Sequence, residues 1–151
     1  LDVAAVSIPA QVDMPQLVVR EGGGQVAVAE QQQWIAPLAD EIRNALSADL
    51  TQRLHAVDVH RAARSADDPV WRVQLDVQRF DSLLGQRAHM EAVWSLRAPG
   101  KDAAALSCPA SADVPVSAGY AALVEGHQQA LRQIAAQIAG AIEAGSAARC
   151  P

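Results

Sequence analysis

The sequence predicts an α+β fold in which two long helices pack on one face of a mainly antiparallel sheet. Three observations carry this. Two long segments place apolar residues at three- and four-residue steps, a pair of central segments alternates strictly between apolar and polar residues, and short strand-like runs flank them.

In chain order, Val3 to Ile8 reads as a strand stopped by Pro9, and Leu17 to Arg20 and Gln25 to Ala29 as two short strands around a turn at Gly22, Gly23 and Gly24. The first helix runs from Trp34, with Ile35, Leu38, Ile42, Leu46, Leu50 and Leu54 on one stripe and Pro37 in the first turn. Asp40 and Glu41 fall near its positive end and Arg53 near its negative end. A further strand is expected at Ala56 to Arg61, ending in a polar break at Ser65 to Asp68. The clearest strand pair follows. Trp71, Val73, Leu75 and Val77 form the apolar face of one strand, and Ala88, Met90, Ala92, Trp94 and Leu96 that of its partner. Pairing Trp71 with Trp94 sets Val73 against Ala92, Leu75 against Met90 and Asp76 against His89, whereas a two-residue slide would oppose Asp76 to Glu91. Arg79 and Phe80 break the alternation, so a bulge is expected near the turn. Ala104 to Cys108 is another strand, and the last helix spans Gly119 to Ala144.

Composition bounds the function. The 151 residues suit one domain, 1–151, with a single core. Only Trp34, Trp71, Phe80, Trp94 and Tyr120 are aromatic, so that core is built largely from small side chains. Mean hydropathy is +0.04 and 19% of residues are charged, which suits neither a membrane-embedded nor a disordered chain. No apolar run approaches the roughly 20 residues that span a bilayer. A net charge of −5, with Lys101 the single lysine and Arg61 and Arg64 the nearest approach to a basic cluster, argues against nucleic-acid binding. The chain opens at Leu1 with no basic or apolar leader, so any targeting segment is expected to have been removed. Cys108 and Cys150 suit one disulfide or two unrelated thiols; a bridge would pin the terminus, stabilise by about 4 kcal/mol and imply an oxidising compartment such as the periplasm.

No pattern assembles a catalytic centre. The glycine run lacks the lysine–serine pair and helix of a phosphate loop. His55, His60, His89 and His127 show no metal-ligand spacing, and no serine sits in a nucleophile elbow. His127 lies on the apolar stripe of the last helix and reads as a core or interface histidine, Asp67–Asp68 before Pro69 as a solvated turn, and Asp40–Glu41 as adjacent carboxylates pointing apart. The reading is a non-enzyme with no cofactor and no metal. The last helix carries only three charges, Glu125, Arg132 and Glu143, among many alanines. Either the fold covers it on two sides, or one side meets a second subunit, which raises the expectation of a homo-oligomer.

The stretch Val12-Asp13-Met14-Pro15-Gln16-Leu17-Val18-Val19-Arg20 resembles the LDRPQIVTR segment of the ABC-type transport auxiliary lipoproteins, the PqiC/YmbA family. The similarity continues at Ala29-Glu30, at Trp34 with Pro37-Leu38, along the helix to Leu46, Asp49 and Leu50, at Arg79-Phe80, at Trp94 with Leu96, and at Tyr120 with Leu123-Val124. Met14 stands where the family usually has arginine, and Gln11 where tyrosine is common. The resemblance implies a lipoprotein of the outer membrane facing the periplasm, held by a lipidated cysteine upstream of Leu1. It implies work with an MCE-domain (mammalian cell entry) protein and inner-membrane transporter components in moving lipid between membranes. On this reading the chain is a docking or adaptor subunit. The alternative is a periplasmic carrier that shields an acyl chain, which requires an interior pocket of roughly 300 Å³ or more.

Overall fold

The computed structural model describes residues 1–20, 26–62, 69–100 and 103–151. Six strands, β1 (Asp2–Val3), β2 (Gln16–Arg20), β3 (Val26–Gln33), β4 (Arg72–Leu83), β5 (Arg87–Arg97) and β6 (Ala105–Pro115), form one sheet. Its order is β3-β2-β4-β5-β6, with β1 also paired to β4. Helices α1 (Leu38–Leu54) and α2 (Tyr120–Ala144) complete the α+β fold. The β4–β5, β5–β6 and β2–β3 pairs are antiparallel, whereas β1 and β2 meet β4 in parallel. The first twenty residues therefore track one edge of β4, touching it at Asp2–Arg72, Val3–Val73, Ser7–Asp76 and Arg20–Leu83. What reads as a continuous strand from Val3 to Ile8 is a two-residue strand followed by that single bridge at Ser7.

The alternation in β4 and β5 sends Val73, Leu75, Val77, Met90, Ala92, Trp94 and Leu96 to one buried face, met by Cys108, Ala110, Ala112 and Val114 of β6. Leu38, Ile42, Leu46 and Leu50 of α1 join this core, as do Leu131, Ile134 and Ile138 of α2. Helix α2 packs on β5, β6 and α1, and its Ala130, Ala135, Ala139 and Ala141 are buried. These small residues are thus covered within the fold, by the sheet and α1.

Four expectations need correction. The β4–β5 register is four residues away from the Trp71–Trp94 pairing: Leu75 faces Trp94, Val77 faces Ala92, and Asp76 faces Val93 rather than His89. The strand runs on through a bulge between Val77 and Arg79 as far as Leu83. The hairpin then closes over Leu84-Gly85-Gln86, with Gly85 at φ 68°. That tight loop sets the register. Charge matching still operates, with Arg79 opposite Glu91 and Asp81 opposite His89. Second, Ala56 to Arg61 is not a strand. His55 ends α1 in the left-handed region (φ 50°), and Asp58 then accepts hydrogen bonds from the Val3 and His60 amides, the Ser47 hydroxyl and Arg43. Third, α1 starts at Leu38, not Trp34, because Pro37 takes the extended N-cap position (φ −50°, ψ 139°). Glu41 accepts a hydrogen bond from the Ala36 amide across this start. Fourth, β3 and β6 outrun their expected ends, β6 by continuing through Pro109 to Pro115, which an edge strand tolerates because one side of it needs no N–H donor. Cys108 in β6 is joined to Cys150 by a disulfide. The expected turn at Gly22–Gly24, and the polar break at Ser65 to Asp68, lie outside the described residues.

Candidate functional site

Residues far apart in the sequence converge around Trp34. The β2–β3 ladder brings Gln16 opposite Gln33, and the Trp34 amide donates to the Pro15 carbonyl at 2.8 Å. The segment Asp13–Pro15 is thereby fixed beside the segment Trp34–Leu38. Pro37 then turns the chain into α1, which leaves Trp34 half-buried and Ile35 fully exposed. Ile35 is therefore not part of the buried helical stripe that its spacing suggests; three residues before the helix, it points outward.

Two hollows flank this ridge. The first, of about 360 Å³, is lined by Asp13, Met14, Pro15 and the segment Trp34–Leu38. The second, of about 290 Å³, lies between the N-terminal half of α1 and α2. Its walls include Trp34, Leu38, Ile42, Ala45, Val124 and Leu131, with Phe80 and Met90 of the sheet beneath. Trp34, Ile35 and Leu38 line both. Trp34 also packs against both hydrophobic clusters of the molecule, the main core and the smaller one of Leu17, Val19 and Leu123.

A row of rings backs the second hollow. Trp34 meets Phe80 edge-on at 6.1 Å between centroids, and Phe80 stacks on His127 at 3.8 Å. His127 Nε2 is 2.7 Å from the Ser82 hydroxyl, while its buried Nδ1 has no hydrogen-bond partner among the described residues. Burial pushes the His127 pKa down to about 3; the Asp81 carboxylate pulls it up and His89 pushes it further down. The imidazole is therefore neutral at physiological pH. Ser82 and His127 stand like a nucleophile and its base, but Ser82 is 1% exposed and does not line the hollow. No carboxylate orients Nδ1, so the pair lacks the third group of an acyl-transfer triad.

Of the residues singled out from the sequence, Asp13, Pro15, Trp34, Pro37, Leu38 and Phe80 line one hollow or both. Gln16 sits at the ladder end that holds them. Arg20 is placed elsewhere: its Nε donates to Asp81 at 2.9 Å, tying β2 to β4, and Arg79 of β4 reaches the other Asp81 oxygen at 2.8 Å. Trp94 is wholly buried in the sheet, its indole N–H directed at Gln137 at 3.4 Å. His55 and His60 do not form a shared site, since His55 caps α1 and His60 Nδ1 lies 2.7 Å from an Asp2 carboxylate oxygen. Among the described residues no group of histidine, cysteine, aspartate or glutamate side chains is arranged to hold a metal. The Ser82–His127 contact leaves no pattern in the sequence because the alternation breaks at the bulge, beyond which Phe80 and Ser82 are both buried.

No curated protein matches the sequence. Solved structures do. One is of an uncharacterised protein at 22% identity and TM-score 0.80, covering 93% of this chain and 90% of that one. Another is protein XCC0632 from Xanthomonas campestris, of the DUF330 family, at 24% identity and TM-score 0.67, covering 91% and 80%. At these identities the likeness speaks to the fold. The sequence itself is more telling: the family model for the ABC-type transport auxiliary lipoprotein component matches residues 1–139, nearly the whole chain. The chain belongs to the ABC-type transport auxiliary lipoprotein component family.

Proposed function

We propose that the protein is a non-catalytic docking subunit of an MCE-type lipid transport system, tethered to the outer membrane through a lipid anchor upstream of Leu1. On this reading its Trp34–Ile35 ridge is the surface that a partner protein covers. Family membership supports a role auxiliary to transport. The observation that carries the docking role is the exposure of Ile35 between two apolar-walled hollows. A protruding aliphatic side chain beside pockets on a rigid scaffold is the pattern of an interface anchor, where a few residues dominate the binding energy. The scaffold is rigid here because Trp34 is wedged between two cores and Pro37 fixes the entry to α1. The buried serine–histidine pair serves packing on this reading, since its hydroxyl is closed off from either hollow.

Co-purification of the full-length lipoprotein from detergent-solubilised membranes tests this. The native protein should recover an MCE-domain protein, and Ile35→Asp should lose most of it while keeping the native melting temperature. Failure of the native protein to recover any such partner, or equal recovery by the variant, would overturn the assignment.

A further inference from the structure

The hollow between α1 and α2 has a floor and a rim of different chemistry. Leu38, Ile42, Phe80, Met90 and Leu131 are buried and form an apolar floor, with His127 beside them. Gln33, Ile35 and Gln128 are exposed and Glu41 is half-buried, so these form the rim. We propose that this hollow binds one alkyl chain of a single-chain amphiphile whose head group is uncharged and forms hydrogen bonds. The proposal goes beyond docking, since a chain in the hollow requires no partner protein.

Size, lining and charge each select this ligand. About 290 Å³ sits at the lower end of small-molecule sites, roughly 300 Å³ upward, and suits one chain rather than a two-chain lipid. Met90 is unbranched and polarisable, able to adjust to a flexible chain, and Trp34 and Phe80 offer flat apolar walls. Among the described residues, the one carboxylate in the lining is Glu41, and no lysine or arginine lines the hollow to balance an anionic head. His127 cannot supply that charge, because its burial keeps the ring neutral. With the chain on the apolar floor, the head group lies at the rim, where the Gln33 and Gln128 amides offer donors and acceptors to an uncharged hydroxyl.

Quenching of tryptophan fluorescence by a bromine-terminated alkyl chain tests the site directly, because of the three tryptophans Trp34 alone lines the hollow, Trp94 being wholly buried in the sheet and the partly exposed Trp71 lying outside the lining. Monomeric ω-bromododecanol should quench the native protein saturably, and Trp34→Phe should abolish the saturable part. Ala45→Phe, which places a ring in the hollow, should weaken binding about ten-fold or more; Val124→Phe takes its place if that variant does not fold. The anionic ω-bromododecanoate should bind about ten-fold more weakly than the alcohol. Absence of saturable quenching by the alcohol, undiminished binding in the folded filled variant, or equal binding of the carboxylate would overturn the proposal. None of these results depends on whether an MCE-domain protein is recovered, so the two readings fail separately.

Discussion

Asp58 shows how much one side chain can hold together. It accepts hydrogen bonds from Ser47 at 2.7 Å, from the His60 amide at 3.0 Å, from the Val3 amide at 3.2 Å, and from Arg43, which also donates to the Val3 carbonyl. These bonds tie β1, α1 and the segment after α1 into one corner. Burial pushes the Asp58 pKa up, but the Ser47 hydroxyl, the two amides and the Arg43 charge outweigh it, so the carboxyl lies below its ordinary value. A group with a lowered folded pKa stabilises fully above the unfolded value, about 4 for aspartate, and that stabilisation is lost as pH falls through the folded value. Asp58→Asn should therefore cost about 2 kcal/mol near neutral pH. In parallel urea melts the gap between native protein and variant should narrow as pH drops below about 4; a gap independent of pH would show that the charge contributes nothing. From the sequence this segment reads as a strand because Ala56, Val57 and Val59 are apolar. Yet Val57 is 73% exposed, and the hydrogen bonds of Asp58 set its course. A carboxylate with partners 11, 15 and 55 residues away leaves no local pattern in the sequence.

Periodicity made both helices and the two central strands legible, since burial of one face imposes it directly. Boundaries and register were less legible because they rest on single residues. Pro37 moves the start of α1 past Trp34 and Ile35, the bulge carries β4 on past Gln78, where the alternation ends, to Leu83, and Gly85 then closes the β4–β5 hairpin. The same shift explains why the ridge was hidden: Ile35 fits a helical stripe by spacing alone. Gly126 marks another tight contact. A Cβ at this position would lie 2.4 Å from Val116 Cγ1 and 3.0 Å from Ala88 Cβ, so α2 approaches β5 and the chain after β6 more closely than alanine permits. Gly126→Ala should lower stability by about 1–3 kcal/mol despite alanine's better helix propensity. A higher melting temperature in the variant would mean that Val116 yields without cost.

At the scale of the whole molecule, the fold ties its C-terminus to an edge strand and leaves Ile35 exposed beside Trp34. The disulfide ties the C-terminus to edge strand β6 across 42 residues, a closure worth about 4 kcal/mol in the chain-entropy model. Helix α2 is occupied on two sides, and the Arg20–Asp81 contact ties β2 to β4. Around Trp34, by contrast, residues dispersed from 13 to 80 gather without covering Ile35. The family resemblance pointed to these positions, but only the ladder between β2 and β3 shows that they are neighbours. Affinity of the purified domain for a purified MCE-domain protein, compared among the native chain, Ile35→Asp and Val57→Asp, tests the central claim most directly. Val57 is an exposed aliphatic residue outside both hollows, so it controls for an added surface charge. The account predicts a loss of about ten-fold or more for Ile35→Asp and no change for Val57→Asp; equal affinity of all three chains would contradict it.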